Sequence, residues 1–438
     1  MAKQNKPLLL NDLEARLEIS DDLEARLENS DEDDVPLQSS CTIYKVPPQL
    51  RRVNQLAYTP SVVSIGPYHY GDSILESTQE LKFWYFKKFL KRIPSKKPVD
   101  KLLEAVKGKE DEIRRCYSQH IKMCSNDFVK LIMLDASFII EFLCASYESK
   151  SEEPSTAKPG TTSYLMLDLV LLENQIPFFV LEDLYKVCSP TSKISFLEIT
   201  FDGLASSFLK NMYPTDMQIF CSKRRLHWGK IQQVQHMCDL LRTLYVLDKE
   251  QRDVDMEIKR SYGISQLKDA GIEFQPTDDR SMIEVQCFEG RRLEIPSIKI
   301  TGWTEIMLRN VVAFEQCHHP FSHYVTDYIF LLDCLINTEK DVEILVDKGI
   351  IHNFGDNDKV AAMVNTLCDN VTARNSLRYS HVYKMLNKFY DPYYKNKATF
   401  VREHWSTPWK KLSLFGGILL LSLTLIQTIC SVIPLFKK

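Results

Sequence analysis

Four acidic residues interrupt otherwise apolar stretches, and their type and setting could support chemistry. Asp135 and Glu141 lie within LIMLDASFIIEFL (131–143), and Asp168 and Glu173 within YLMLDLVLLENQIPFF (164–179). Two buried carboxylate pairs could act as general acid and base, or hold a cation. Burying a carboxylate is costly unless a cation or an N–H donor meets it, and Arg51, Arg52 and Arg309 are available partners. Structural ion-pair networks perturb carboxylates without any catalysis, so pairing within the core is the simpler expectation. The competing one is a membrane-tethered, hydrolase-like enzyme using these four acids.

Glu315-Gln-Cys-His318 is an E-x-x-H, a spacing that directs both side chains toward one metal from one helix. A di-iron bundle needs a second such pair and two further glutamates, and no second pair is found. Cys317, His318, His319 and His323 fit no standard zinc-ligand spacing. Polar positions at a helix end are therefore expected, with no metal and no cofactor. The chain has no G-x-S-x-G elbow, phosphate-binding G-x-x-x-x-G-K-[ST], G-x-G-x-x-G or kinase motif set. Nothing singles out one of twelve cysteines as a nucleophile. No residue is assigned as catalytic, cofactor-binding or metal-ligating, and the reading leans away from an enzyme.

The elements carrying these residues read mainly as helix. Ser73-Ile-Leu-Glu76 offers a capping box for a helix through Lys91, with Leu81, Trp84, Tyr85 and Phe89 on one face. Asp100–Tyr147 reads as two helices, the second (Phe128–Ala145) strongly apolar. Tyr164–Glu173 and residues 230–250 also read as helix. Thr304 is expected to cap a helix through Cys317, Tyr324–Ile336 to follow, and Thr338 to cap a helix ending at Gly349. Val360, Met363, Val364 and Leu367 keep helical spacing. Between them, GIEFQP, MIEVQCF and RRLEIPSIKI alternate and are punctuated by turn residues, which predicts a small antiparallel meander. The fold class is mainly α with a small antiparallel β element (α+β), plus one C-terminal transmembrane helix.

Composition allows a large core, at 44% apolar and 11% aromatic residues. Residues 1–40 read as an acidic arm with a tandem decapeptide repeat, LEARLEIS-DDLEARLENS. Residues 11–34 hold eleven acids against Arg16 and Arg26, a net of −9, so the total of −3 leaves about +6 for the rest. That is too dilute for a nucleic-acid footprint, and no nucleic acid is expected. Residues 41–405 read as a largely helical domain with a loop at 149–163. The cysteines form no CxxC pair, which suits reduced thiols in a cytosolic domain. The N-terminal patch of three leucines is too short for a signal peptide.

From Leu412 to Phe436 no residue is charged. Twenty-five residues at about 1.5 Å each span roughly 37 Å, more than a hydrocarbon core of about 30 Å. Trp405, Trp409, Lys410–Lys411 and Lys437–Lys438 flank the stretch as interface residues do. Membrane lipid is thus an expected partner through 412–436. Lys395–Lys411 carries five basic residues and one acid against two lysines beyond the span, which favours a cytosolic domain and a tail anchor. Which membrane it enters is not encoded. Asn370-Val-Thr372 is a glycosylation sequon, of consequence only on a lumenal domain.

Five long strings resemble the plant "domain of unknown function 247" family of uncharacterised plant membrane proteins. They are VPPQLRRVNQLAYTPSVVSIGPYHYG at 46–71, MLDASFIIEFL at 133–143 and DLVLLENQIPFFVLEDLY at 168–185, then IPSIKITGWTEIMLRNVVAFEQCHH at 295–319 and FLLDCLINTEKDVEILVDKGIIHNFG at 330–355. The likeness runs from about Cys41 to the C-terminus and omits the decapeptide repeat. It implies a large helical domain with one C-terminal span and no established catalytic mechanism, so no active-site residues carry over. Some members are linked genetically to self-recognition in grass pollination, which implies a recognition role for part of the family. Ala136 departs from the glycine many relatives have after this aspartate, a change a helix tolerates. A protein partner for a recognition or signalling module is the resulting expectation.

Overall fold

The computed structural model describes residues 40–148, 161–188, 200–212, 234–246, 262–277, 282–319, 322–353, 355–372, 378–390 and 408–432. The acidic repeat, most of the expected loop, Trp405 and the last residues of the apolar stretch lie outside these residues.

The chain enters through a short helix, α1 (Pro48–Arg51), and a 3-10 turn, Gln55–Tyr58. Then come α2 (Gln79–Leu90), α3 (Pro98–Lys107), α4 (Glu110–Arg115) and α5 (Ser125–Tyr147). Pro98 opens α3 at a position where its missing N–H has no helical partner to lose. Three acids in the first turn of α4 and two arginines in its last complement the helix dipole. The expected two helices over 100–147 are three, because the chain breaks at Gly108 and Lys109 between α3 and α4. The box at Ser73 does not form. Asp72 accepts from the Ile74 N–H instead, and a 3-10 turn at Glu76–Thr78 leads into α2 at Gln79.

Helix α5 is apolar on almost all sides and therefore sits inside the molecule, with Phe138, Ile140 and Leu143 fully enclosed. Helices α2, α3, α7 (Phe178–Cys188) and α8 (Phe201–Met212) pack around it. Each such side chain contributes about 1.5–3 kcal/mol by leaving water. Tyr85 meets the edges of Phe138 and Phe142 at 5.3 and 5.8 Å, which fixes the α2–α5 contact. Helix α6 (Thr161–Asp168) stops at Asp168, five residues short of the expectation, and in the following segment the Leu169 and Leu171 carbonyls accept from the Gln175 side chain while Leu172 N–H donates to Asn310.

Helices α9 (Met237–Tyr245) and α10 (Ile264–Asp269) lead to the strands. The strands are β1 (Glu273–Thr277), β2 (Gln286–Phe288), β3 (Arg292–Pro296) and β4 (Ile298–Ile300). The expected antiparallel meander is corrected here to a mixed sheet of order β1-β3-β2. β3 runs antiparallel to β2 but parallel to β1. Phe274, Leu293 and Cys287 line its buried face. β4 leaves this sheet and pairs in parallel with β5 (Ile351–Asn353). Around it stand α11 (Thr304–His318), α12 (Tyr324–Leu335), α13 (Glu339–Asp347), α14 (Asn357–Leu367) and α15 (Ser380–Phe389). Thr338 caps α13 as expected, and the structure adds Asp341 as its partner in a capping box.

Helix α16, Pro408–Val432, is of another kind. Its Trp409–Ile429 stretch has a mean hydropathy of 2.0 and none of it is buried. It is long and apolar enough to cross a membrane.

Candidate functional site: buried carboxylates and a histidine cluster

The segment Ser61–Gly66 passes from the surface at Ser61 into the interior at Val63 without a strand partner, so its N–H groups need acceptors from elsewhere. Side chains supply them. Asp168 accepts from the N–H groups of Ser61 (2.9 Å), Val62 (2.7 Å) and Val63 (2.8 Å), and from the Ser61 hydroxyl at 3.3 Å. Burial pushes its carboxyl up to about 6, against those donors. Asn174 Oδ1 accepts from Ile65 N–H at 2.6 Å, and its Nδ2 donates to Val63 and Asp168 carbonyls. Asp135, on α5, accepts from Gly66 N–H at 2.9 Å and from Lys82 Nζ at 2.5 Å. Neither Lys82 nor Asp135 has any exposed surface.

Glu173 gathers the most partners. It accepts from Val46 N–H and Arg51 Nη2 at 2.6 Å each, and Lys45 Nζ stands at 3.1 Å and His69 Nε2 at 3.4 Å. Burial alone would raise its carboxyl, but His69, Lys45, Val46 N–H and Arg51 together hold it at about 2. Glu141 takes Arg92 in a two-pronged contact at 2.5 and 3.0 Å, and the same guanidinium reaches Glu148 at 2.8 Å.

Amides stitch the 169–175 segment that joins α6 to α7. Gln175 Nε2 donates to the carbonyls of Leu169, Leu171 and Asn174. Asn310, on α11, accepts from Leu172 N–H at 2.9 Å and donates to the carbonyls of Ala57 and Ile306. Tyr117 donates to the Gln175 carbonyl at 3.0 Å.

Glu315 accepts from Arg242 Nε at 3.0 Å and from the N–H groups of Val325 and Thr326. It thereby caps α12 from a neighbouring helix. His318, three residues on, lies parallel to the Phe314 ring at 5.1 Å, and its Nδ1 is 3.0 Å from the Tyr44 hydroxyl. His236 is fully buried. Its Nδ1 accepts from Asp239 N–H, so Nε2 carries the proton and donates to the Thr42 carbonyl at 3.0 Å. Burial drives its pKa down to about 3. His319 is likewise pushed to about 3, by burial first and by Arg242 second.

The sequence model of a plant family of unknown function, DUF247, matches residues 43–423. The chain belongs to this family. The UPF0481 protein At3g47200 of Arabidopsis thaliana is 32% identical over 430 residues, covering 90% of this chain and 87% of the relative. The putative UPF0481 protein At3g02645 of the same plant is 24% identical, covering 91% of each. No solved structure matches.

In this DUF247 chain the four acids are all buried, and each meets a basic side chain or a backbone N–H. Of the arginines expected to pair with them, only Arg51 does. Arg309 binds Glu305 at 2.7 Å and Thr366, and Arg52 is exposed. Asp135 and Glu141 take their cations from Lys82, on α2, and Arg92, just beyond its end, and the periodicity of α2 marks Lys82 only as one polar residue among several. Glu315 and His318 share a helix face but take separate partners. Among the described residues no group of three or more His, Cys, Asp or Glu is arranged to hold a metal ion. The amides Asn174, Gln175 and Asn310 escaped sequence reasoning. The signal for the first two was the polar run Glu173-Asn174-Gln175 inside an apolar stretch.

Proposed function

We propose that this DUF247 chain is a membrane-anchored protein-recognition module, with helix α16 as its tether and the helical domain as the binding part. The observation that carries this reading is the apolar helix Trp409–Ile429, which finds no burial against its own chain. An exposed surface of that size is stable in hydrocarbon and a liability in water. The basic bias of Lys395–Lys411 supports a domain on the cytosolic side. The acidic arm of 1–40, the domain of 41–405 and the span of 412–436 are then three functional parts. The engagement of the interior acids by cations and N–H groups supports binding, rather than chemistry, as the domain's work.

Proximity labelling in plant cells tests this. The full chain should mark a protein set that is lost when Leu412–Phe436 is deleted. Indistinguishable sets from the two chains would refute the reading.

A further inference from the structure

The outer surface of α2 and α3 is strongly basic. Residues 87–107 contain eight cations against Asp100 and Glu104. Arg92 is turned inward to Glu141 and Glu148, but Lys87, Lys91, Lys96, Lys97, Lys101 and Lys107 are all exposed. Lys97 touches the exposed Asp100 at 3.6 Å, a weak contact at that exposure. Both helices pack on α5 with their apolar faces, so these lysines form the outward side of one layer. The flanking exposed acids are Glu80 at the start of α2, and Asp111 and Glu112 on α4.

The same chain carries the complementary charge. Residues 11–34 hold eleven acids and two arginines. Their point of attachment is next to the basic layer. Thr42 and Ile43 donate N–H bonds to the Cys116 carbonyl at 3.0 and 2.8 Å, and Ser118 donates to Ile43 at 2.9 Å. Cys116 follows α4 directly, and α3 ends at Lys107 just before it. Six helical residues at about 1.5 Å and three others at about 3.4 Å place Lys107 within about 20 Å of this root. Val35–Ser40, six residues, also reach about 20 Å at most. Asp34 can therefore meet Lys107, and the preceding acids can follow the surface toward Lys87.

We propose that residues 11–34 dock on the basic face of α2 and α3 in the same chain, as an acidic peptide ligand carried in cis. Tethering raises the arm's local concentration there far above that of a free acidic competitor. The root beside α4 favours the arm over anionic lipid headgroups as the occupant. The proposal is independent of the partner the domain recognises.

The test is zero-length carbodiimide coupling of the full chain in phosphatidylcholine nanodiscs, prepared from mixed light and heavy isotopes, with peptide mapping. Expected are couplings within one isotope from residues 12–34 to Lys87–Lys107, lost at high salt. In K96E/K97E/K101E/K107E, coupling to the untouched Lys87 and Lys91 should also fall to background. Couplings between isotopes, couplings mainly to other lysines, or undiminished coupling in the variant would overturn the proposal. So would loss of the couplings in phosphatidylserine nanodiscs alone, which would show that lipid takes this face.

Discussion

Glu173 and His236 link the interior to pH in the same direction, over different windows. Glu173 falls from 4.5 to about 2 in the fold, so its stabilisation is complete above pH 4.5 and is lost as pH falls through about 2. The shift corresponds to about 3 kcal/mol. His236 falls from 6.5 to about 3, so the fold holds the neutral ring. Its contribution is complete above pH 6.5 and declines toward pH 3, by about 5 kcal/mol at the end. Asp168 works the other way, rising from 3.8 to about 6, so its contribution is greatest below pH 3.8 and is lost as pH rises through about 6. Urea midpoints of the detergent-solubilised chain, measured from pH 8 to pH 3, should therefore fall on acidification. E173Q should flatten the curve below pH 4.5, and H236Q should flatten it between pH 6.5 and 3. Curves parallel to the parent in both variants would contradict these assignments.

At the scale of elements, the joint between segments 61–66 and 169–175 is a close backbone approach. Gly66 has φ +70°, and a Cβ there would stand 2.5 Å from the Gln175 carbonyl oxygen. Gly71 has φ +81° with nothing within 4 Å. Gly66→Ala should cost about 3 kcal/mol or more, from left-handed strain plus backbone overlap, whereas Gly71→Ala should cost about 1 kcal/mol. Equal costs in denaturation would mean the joint is looser than described. The helices α5, α11, α12 and α13 were legible, because apolar spacing and a capping threonine such as Thr338 are local signals. The partners Lys82–Asp135 and Arg92–Glu141 were not, since each pair joins residues about fifty apart and many cations could have served. Strand direction was illegible for a related reason. Alternation in GIEFQP and RRLEIP marks a buried face, but β1 and β3 read the same whether they pair in parallel or antiparallel.

For the whole molecule, the question is what an enclosed helical domain does with an apolar helix that none of the described residues buries. Tethering is the answer proposed above, and on that proposal the basic bias before the helix favours a domain on the cytosolic side. Asn370 gives that assignment an internal reporter, being exposed, in the left-handed region at φ 60°, and within a sequon. The decisive measurement is protease protection of the end-tagged chain in sealed microsomes, with glycosidase treatment in parallel. The expected result is membrane-bound protein whose domain is digested from outside and whose Asn370 carries no sugar. A protected, glycosylated domain would reverse the topology, and release of the chain into the soluble fraction would contradict the anchor itself.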